Sequence, residues 1–494
     1  MISWRELQRM PHAEQRIAQG ALLQRYVQRH LLPSSGHYRD LFAQAGVTAA
    51  QLRTVDDLRR VPLSSKADLL PTAADPQRFR RFLLQHDDAS ERPARSLTER
   101  LSQVLGRWTR GAGPARRRRQ REFDPAFVTF TGGRSSPPVP FFYSQHDLAN
   151  LGDAGARMFE VAGLREDHRL ACLLPYAPQL AFWQVFFASQ QAGVLSLATG
   201  GGTSAATGDD LLALQRLRAQ AAVGFPGYVH QLLRRAADEG ADLSALERVV
   251  LGPEQLVPGQ RQKIAALLEA TGAGDARVVG TYGFTEARMT FSECPSHDGG
   301  ASGYHLYPDL AIFEVVDPTT GEVVPDGEDG ELVFTPLDAR ASTVFRYRTG
   351  DRVRGGIQYD PCPSCGRTVP RIASDVTRLT ALTDLRLHSS KRTALDLDEC
   401  AQLLGETAAV EEWQIELRKR PRDPDGRDEL VVRVALGDAT RQQETVARLR
   451  EQFRRRLHLT PSRIELLELD DLLTQLDAAS GARQRRFVDA RQPV

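Results

Sequence analysis

The feature that most constrains the fold is an alternation of short apolar runs with helical segments between residues 126 and 283. The runs read AFVTFTGG, HRLACLLPY, GVLSLA, AAVGF, RVVLG and RVVGTYG, and segments such as 211–220 and 228–240 between them have helical patterning. Strands that alternate with helices are typical of βαβ units, whose parallel strands are buried on both faces. The sequence therefore predicts an α/β fold with a largely parallel, buried sheet.

The chain changes character on either side of this region. Residues 1 to about 85 have amphipathic helical patterning, residues 310–357 read as β-hairpins around Gly and Pro turns, and a compact α+β pattern follows. The chain has 494 residues, and a single core stops growing at roughly 250–300 residues. We therefore expect a large domain at residues 1–372 and a small α+β domain at residues 373–494.

Charge and hydropathy exclude several kinds of partner. The 64 Lys and Arg residues nearly balance the 63 Asp and Glu residues, so net charge favours neither nucleic acid nor a membrane surface. No apolar run approaches the roughly 20 residues of a membrane span, and the amino terminus lacks the apolar core of a secretory signal. We expect a cytoplasmic enzyme that binds neither nucleic acid nor membrane.

An arginine-rich insert interrupts the large domain at residues 86–122. Its composition is poor in aliphatic residues toward its end, which is typical of a solvated or mobile segment. The alternative is a docking patch for an acidic partner.

Two stretches have the composition of a phosphate or nucleotide site. In residues 127–141 a predicted strand enters a turn rich in Gly, Ser and Thr, whose backbone N–H groups and hydroxyls suit a polyphosphate. In residues 280–287 an aromatic residue, Thr285 and Glu286 follow an apolar strand, and they could supply a ring for a base, a hydroxyl for phosphate and a carboxylate for Mg²⁺. The alternatives are a turn without a ligand and an ordinary helix cap.

Seven motifs, in this order, resemble the adenylate-forming superfamily and specifically its phenylacetate-CoA ligase-like branch. They are TGGRSSPP (131–138), GFPGY (224–228), LGPEQ (251–255), TYGFTEA (281–287), DPTTGEVVPDGEDGELVFTPL (317–337), FRYRTGD (345–351) and CGRTVPRI (365–372). The resemblance covers residues 30–372 well and the small domain more loosely. It implies a large adenylate-forming domain with buried sheets and a β-hairpin subdomain, followed by the small α+β domain.

The resemblance implies a two-step reaction. A carboxylic acid, aromatic or otherwise apolar, reacts with Mg-ATP to give an acyl-adenylate and pyrophosphate. A thiol of coenzyme A or of a carrier protein, or an amine, then displaces AMP. The protein contributes positioning and electrostatic stabilisation, because phosphoryl chemistry needs little covalent help.

The resemblance also implies roles for individual residues. Tyr282, followed by Gly283, would pack against the base, Thr285 would reach the α-phosphate, Glu286 would bind Mg²⁺, and Asp351 would hold both ribose hydroxyls. A carboxylate suits the ribose because it accepts two hydrogen bonds at once. The residues expected at the β- and γ-phosphates are Thr131, Gly132, Gly133, Arg134, Ser135 and Ser136, and those expected along the adenine are Gly252, Pro253 and Glu254.

A further group of residues has metal-ligand spacing. Cys362-x-x-Cys365 is spaced as a zinc knuckle, and Cys294 with His297 or His305 could complete a tetrahedral site. Some phenylacetate-CoA ligase-like proteins have a similar arrangement, and their histidine stands at the GYH sequence, which favours His305. We expect structural Zn²⁺ on these three cysteines and His305, and the alternative is buried free thiols.

The sequence departs from the family pattern at the phosphate loop and at the hinge before the small domain. Ser136 replaces a glycine and Arg134 a threonine, which crowds the approach of the backbone to phosphate. After the RI sequence the family has glycine, arginine and an acidic pair. This chain has Ser374, Asp375, Thr377 and Arg378 at those places.

The last departure concerns the carboxyl-terminal lysine, which in the family bridges the carboxylate and the α-phosphate. Its position falls on Arg483, and no lysine follows Lys419. Arginine keeps the charge but is planar and bulkier. Two readings therefore stay open, an active ligase with Arg483 as a catalytic residue and a degenerate scaffold that binds a nucleotide or a protein.

The expected acid also needs an apolar pocket. We expect aromatic residues to line it, namely Tyr176, Phe225, Tyr228 and Tyr282. Aromatic residues beside a sheet also belong to the core as often as they form pocket walls.

Overall fold

The computed structural model describes residues 2–85, 122–132, 137–201, 210–252, 254–296, 298–379, 382–388, 391–420, 427–437, 439–476 and 485–491. The helices in these residues are α1 (Trp4–Leu7), α2 (His12–Tyr26), α3 (Leu32–Ser34), α4 (Gly36–Gln44), α5 (Lys66–Leu69), α6 (Gln145–Ala162), α7 (Leu180–Ala192), α8 (Asp210–Leu217), α9 (Pro226–Asp238), α10 (Pro258–Ala270), α11 (Leu397–Glu406), α12 (Gln442–Leu457) and α13 (Leu469–Gln475). A π-helical turn, Val27–Leu31, continues α2, and 3₁₀ turns occupy Ala49–Gln51, Val55–Arg60, Arg78–Phe82 and Ala439–Arg441.

The strands in the same residues are β1 (Phe127–Phe130), β2 (Pro140–Tyr143), β3 (Arg169–Pro175), β4 (Leu195–Gly200), β5 (Ala221–Gly224), β6 (Arg248–Leu251), β7 (Arg277–Phe284), β8 (Met289–Ser292), β9 (Tyr304–His305), β10 (Ala311–Val316), β11 (Gly330–Pro336), β12 (Tyr347–Val353), β13 (Ile357–Gln358), β14 (Arg371–Ile372), β15 (Val376–Arg378), β16 (Leu382–His388), β17 (Lys391–Asp396), β18 (Val410–Lys419), β19 (Asp428–Leu436), β20 (Arg463–Leu466) and β21 (Phe487–Asp489).

The predicted parallel sheet lies between β3 and β8 and has the strand order β4-β3-β5-β6-β7-β8. Its first five strands are parallel, and β8 returns antiparallel to β7. Successive side chains of a strand face opposite sides, so Leu173 packs under α8–α10 while Cys172 packs under α6 and α7. Burial on both faces explains why these strands read as continuous apolar runs. The prediction of an α/β fold is confirmed.

The strand β1 differs from the prediction, which placed it in the parallel series. It pairs antiparallel with β2, and the two strands form a separate two-stranded sheet. The physical reason is the short connection, because two strands that are joined by a turn of nine residues cannot include the crossover that a parallel pair needs. The phosphate-loop motif therefore belongs to the connection between two antiparallel strands.

The predicted β-hairpins form a four-stranded sheet of order β10-β11-β12-β15. The last strand, β15, lies just after the RI sequence, and its Arg378 stands opposite Asp351 of β12 in the ladder. The hinge segment is thus hydrogen-bonded to the strand that carries the expected ribose ligand.

The carboxyl-terminal part has a four-stranded sheet of order β20-β19-β18-β21 packed on α11 and α12. It contacts the larger part through α9 and α10, where Arg234 pairs with Glu411 at 2.6 Å and Lys263 donates to the Val410 carbonyl at 2.6 Å. Gly259 of α10 lies against the backbone of α11, where a side chain would not fit. The division into domains at residues 372 and 373 stays a prediction.

No helix in the described stretches has both the length and the apolar character that a bilayer span requires.

Candidate active site

The expected ribose ligand, Asp351, is a buried carboxylate with a partner on each oxygen. Its side chain lies on the buried face of β12, and the residue is 4% exposed. The Tyr282 hydroxyl donates to one oxygen at 2.8 Å, and Arg378 Nε is 2.9 Å from the other. Burial raises the pKa of Asp351, and the Arg378 guanidinium opposes this rise. Asp351 is therefore held ready as an acceptor next to a cation that is itself largely exposed.

Thr285 and Glu286 continue the same arrangement beyond the end of β7. Thr285 Oγ1 lies 3.4 Å from the Phe130 carbonyl at the base of the phosphate-loop motif. Thr285 and Glu286 are both buried. Glu286 accepts a hydrogen bond of 2.8 Å from the Tyr347 hydroxyl. Because Tyr347 and Asp351 are four residues apart on one strand, they face the same side. The structure thus brings the motifs from three chain segments to one surface.

Thr131 is hydrogen-bonded to Val139 across the base of the predicted phosphate loop. Its backbone N–H donates to the Val139 carbonyl at 2.9 Å, and its hydroxyl accepts from the Val139 N–H at 2.9 Å. Gly132 follows with no neighbouring atom where a side chain would begin, so the backbone there is open. The other expected phosphate contacts lie outside the described residues, namely Gly133, Arg134, Ser135 and Ser136.

The expected adenine segment lies after β6, next to β7. Gly252 is in such close contact with the Thr281 side chain that any larger residue would clash. Glu254 is partly buried, and Gln255 approaches Asp375 of the hinge at 3.4 Å. Pro253 lies outside the described residues. The segment along the proposed adenine therefore also reaches the hinge.

The hinge residues that depart from the family pattern form hydrogen bonds and ion pairs with neighbouring elements. Ser374 donates to the buried carboxylate of Glu293 at 2.8 Å, and Asp375 lies 3.6 Å from Arg354. The Arg378 N–H donates to Asp398 at 3.2 Å, at the start of α11. Arg378 therefore connects Asp351, the expected ribose ligand, to the first helix of the carboxyl-terminal part.

The four residues with metal-ligand spacing form one cluster. One ligand atom from each of Cys294, His305, Cys362 and Cys365 lies within 4.8 Å of all the others. The sulfurs of Cys294 and Cys362 are 3.7 Å apart, and Cys365 Sγ is 3.3 Å from His305 Nε2. Zn–S bonds of about 2.3 Å in a tetrahedral site place two sulfurs about 3.8 Å apart. The donor set and its spacing therefore fit zinc.

The histidine of this cluster is oriented for metal binding. Its Nδ1 lies 3.3 Å from the Ser292 carbonyl, which leaves Nε2 to face the thiols. A hydrogen bond on the far nitrogen is the usual support of a metal-ligating histidine. The Cys362 knuckle is closed by a 2.8 Å bond from the Gly366 N–H to its carbonyl. The alternative histidine, His297, lies outside the described residues.

The aromatic residues predicted for the acid pocket have mixed positions. Tyr176 is 55% exposed and donates to the Ala198 carbonyl, whereas Phe225 is partly buried against the core. Tyr228, in the first turn of α9, donates to Asp210 at 2.5 Å. The Tyr282 ring lies 5.7 Å from the Tyr304 ring. Arg483 lies outside the described residues.

Sequence reasoning missed three contributors to the site. Tyr347 lies two and four residues before Thr349 and Asp351, so the two-residue period of the strand was a signal that could have found it. The pairing of Arg378 with Asp351 depends on strand register, which the sequence did not provide. Glu293 accepts from the Gly280 N–H at 2.6 Å and from Arg261 at 2.5 Å, and no motif marked it.

The comparisons with known proteins agree with this geometry. The family model for the AMP-binding enzyme matches residues 42–336, which is more than half of the chain. The chain belongs to the AMP-binding enzyme family. Phenylacetate-coenzyme A ligase of Thermus thermophilus is 25% identical over 418 residues, which are 84% of this chain and 80% of that protein. The enzyme of the same name from Aromatoleum evansii is 25% identical over 332 residues, 66% of this chain and 63% of that protein.

Solved structures show the same fold for this AMP-binding family member. A crystal structure of 2-hydroxyisobutyryl-CoA ligase in the postadenylation state has a TM-score of 0.73 at 21% identity. The match covers 99% of this chain and 92% of that one. The structure of the same ligase in the thioesterification state has a TM-score of 0.57 at 20% identity.

These comparisons confirm the family that the seven motifs predicted. The chain is acyl-CoA ligase-like, with phenylacetate-CoA ligases among its relatives and adenylate-forming enzymes among its structural neighbours.

Proposed function

We propose that this AMP-binding family member is an AMP-forming ligase that activates a carboxylic acid and passes it to a thiol. The observation that carries the proposal is the connected set of polar side chains on one surface. It runs from the Phe130 carbonyl through Thr285 and Glu286 to Tyr347, and on the same face of β12 from Asp351 to Tyr282. A nucleotide needs a phosphate donor, a metal carboxylate and a ribose acceptor, and Thr285, Glu286 and Asp351 would supply them.

The reaction divides into two balanced steps. A carboxylate oxygen of the acid forms a bond to the α-phosphorus of ATP, and the bond to pyrophosphate breaks. The sulfur of the acceptor thiol then bonds to the acyl carbon, AMP leaves, and the thiol proton is released. Asp351 would accept both ribose hydroxyls, and Thr285 would donate to the α-phosphate. Correct positioning of the reacting atoms supplies most of the rate in such a reaction.

Three groups would bring positive charge to the site. Glu286 would bind Mg²⁺, which neutralises phosphate charge when it is bound. Arg378 adds a fixed guanidinium next to Asp351. We propose that Arg483 supplies the cation that the family takes from lysine, since arginine keeps the charge.

For the acid we propose an aromatic or other apolar compound, because the named relatives are phenylacetate-coenzyme A ligases. For the acceptor we propose coenzyme A, with a carrier-protein thiol or an amine as the alternatives. We propose a cytoplasmic location and two domains, residues 1–372 and 373–494, that move about the segment after residue 372.

We also propose a structural Zn²⁺ on Cys294, His305, Cys362 and Cys365. Three thiolates and an imidazole that leave no open position are typical of structural zinc. The cluster joins the segment after β8 to the turn between β13 and β14. The ion would therefore hold the loop after Glu286 in register with the strand segment after Asp351.

The direct test is AMP formation from Mg-ATP across a panel of aromatic and aliphatic carboxylic acids with coenzyme A. We expect AMP and an acyl thioester with at least one aromatic acid, and no AMP from Asp351→Ala. Asp329→Asn is the matched control, because this exposed carboxylate pairs, among the described residues, with Arg352 of β12 and with the Gly355 N–H. An absence of AMP with every acid, from protein that binds Mg-ATP, would refute the ligase.

The second candidate is a nucleotide-binding scaffold that no longer catalyses. Arg378 already occupies Asp351, and no lysine follows Lys419, which both favour it. The two candidates differ in one result: the scaffold binds adenine nucleotides but releases neither AMP nor pyrophosphate with any acid.

A further inference from the structure

The turn that carries Thr285 and Glu286 ends in a strained residue. The strands β7 and β8 pair as an antiparallel hairpin, and residues 285–288 connect them. Arg288, the last of these residues, has a φ of 56°, in the left-handed region that residues other than glycine rarely adopt. Such strain persists where the surrounding structure imposes it, and it is typical of active sites. A contact outside the turn is therefore needed to hold this shape.

That contact is a buried ion pair between Arg288 and Asp147 of α6. Arg288 Nη1 donates to Asp147 Oδ1 at 2.9 Å, and the two residues are 7% and 3% exposed. Separating a buried pair would leave uncompensated charges, so the two groups stay together. The backbone N–H of Arg288 also donates to the Thr285 carbonyl at 3.1 Å. Arg288 therefore ties the turn to α6 through its side chain and to Thr285 through its backbone.

Asp147 also has a structural role, but that role does not need Arg288. It forms the capping box of α6 with Ser144, and its Oδ2 accepts from the Ser144 N–H at 2.9 Å. The same oxygen accepts from the Ala341 N–H at 2.8 Å. The other oxygen, Oδ1, accepts from the Arg340 N–H at 3.0 Å in addition to Arg288. The helix cap uses Oδ2, which leaves Oδ1 to anchor the turn.

We propose that Arg288 is a positioning residue for the reaction, and that its ion pair with Asp147 holds Thr285 and Glu286 toward the nucleotide together. This inference rests on the proposed ligase function. Thr285 would donate to the α-phosphate while Glu286 binds Mg²⁺, so both side chains have to be placed at once. The contact of Thr285 with the Phe130 carbonyl is long, at 3.4 Å, and holds the hydroxyl only weakly. The anchored turn supplies the precision that this contact lacks.

The experiment replaces Arg288 and measures AMP formation together with adenosine binding. We expect Arg288→Gly to lower kcat about tenfold to a hundredfold, because glycine adopts the positive φ but cannot anchor the turn. Adenosine has no phosphate and would bind through Asp351, so its dissociation constant should stay within about threefold of the wild-type value. Arg288→Lys should recover most of the lost rate, because a single nitrogen makes the contact with Asp147.

A double substitution separates positioning from a general loss of stability. If Arg288 acts through Glu286, the loss of rate caused by Arg288→Gly should be smaller in Glu286→Gln protein than in wild-type protein. A general loss of stability would instead reduce both rates by the same factor, because it does not depend on the metal carboxylate.

Arg157→Ala is the matched control, since this partly buried arginine of α6 pairs with Asp309 at 2.6 Å. Its kcat should stay within about threefold of the wild-type value. Asp147→Asn breaks the proposed contact from the other side and should give the same loss of rate, which tests the inference even if Arg288→Gly does not fold. A wild-type kcat in either folded variant, or an equal loss in the Glu286→Gln protein, would overturn the role of Arg288 and leave the ligase standing. No AMP from the wild-type protein with any acid would overturn the ligase, and the inference with it.

Discussion

The cysteine–histidine cluster and the proposed nucleotide site are built on the same two chain segments, yet they differ in how their polar atoms are paired. In the cluster, four ligand atoms face one another within 4.8 Å, which is a geometry for a shared cation. In the nucleotide site, Asp351 and Glu286 are each bonded to other side chains. The difference teaches that the cluster would need a bound cation for its stability, whereas the residues of the proposed nucleotide site are already paired with one another.

The largest effect should follow from breaking the cluster. We expect Cys362→Ser with Cys365→Ser to remove bound zinc and to lower the melting temperature by about 5 °C or more, because metal binding is coupled to folding. Elemental analysis and thermal melting measure the two effects. Cys400→Ser is the matched control, since that buried cysteine lies in the core of the carboxyl-terminal part. Wild-type protein with less than about half an equivalent of zinc would contradict the comparison.

Glu286→Gln should have the next largest effect and should act on catalysis without an effect on zinc. We expect AMP formation to fall about a hundredfold, since the loss of a charged metal ligand costs about 3 kcal/mol. The measurement is the rate at several Mg²⁺ concentrations. Glu322→Gln, on an exposed turn, is the control. A rate close to that of the wild-type protein at low Mg²⁺ would remove Glu286 from the metal site.

Arg378→Gln should change the pH dependence of nucleotide binding. Burial raises the pKa of Asp351 and Arg378 lowers it, so the substitution should raise it further. Nucleotide binding needs the ionised carboxylate and weakens as pH falls through this pKa. We therefore expect the ratio of the binding constants at pH 8 and pH 5 to be larger in the variant than in the wild-type protein.

The stability of Arg378→Gln should also depend on pH through the pKa of Asp351. A carboxyl group whose pKa is raised in the folded state contributes stability at low pH, and this contribution is lost as pH rises. The variant should thus lose stability relative to wild type at neutral pH, and the difference should shrink as Asp351 becomes protonated. Arg354→Gln, which removes a neighbouring cation from the hinge, is the control. Identical pH profiles for Arg378→Gln and wild type would show that the ion pair does not act on Asp351.

Tyr347→Phe should have the smallest effect. It removes the hydroxyl that donates to Glu286 at 2.8 Å and leaves the ring in the core. We expect AMP formation to fall about threefold to tenfold, as the loss of one hydrogen bond with a net contribution of about 1 kcal/mol predicts. Steady-state kinetics measure it. A loss as large as that of Glu286→Gln would mean that the two residues act as one unit.

Much of the fold followed from the sequence because its signals are local. The strands from β3 to β7 were predicted from apolar runs, and each run is present as a parallel strand. The position of β1 was wrong because strand pairing depends on the length of the connection as well as on residue type. The FRYRTGD motif was enough to predict Asp351 as a site residue. Its ion pair with Arg378 could not be predicted, because the pair depends on the register between β12 and β15.

The partners within the site were harder to predict because they come from distant segments. Asp210 reads as an ordinary residue at the start of a helix, yet it is only 4% exposed in the folded chain. Glu293 likewise has no motif, although it bonds three groups from different elements. Such roles arise from burial, which a local pattern does not encode.

One measurement decides whether the nucleotide site exists as described. It is a calorimetric titration of Mg-ATP into the wild-type protein and into Asp351→Ala, with Asp329→Asn as the matched control. We expect saturable binding by the wild-type and control proteins, and at least a hundredfold weaker binding by Asp351→Ala, since two hydrogen bonds to a charged acceptor are lost. Equal binding by the well-folded Asp351→Ala variant, or no binding by the folded wild-type protein, would contradict the assignment of this surface to a nucleotide.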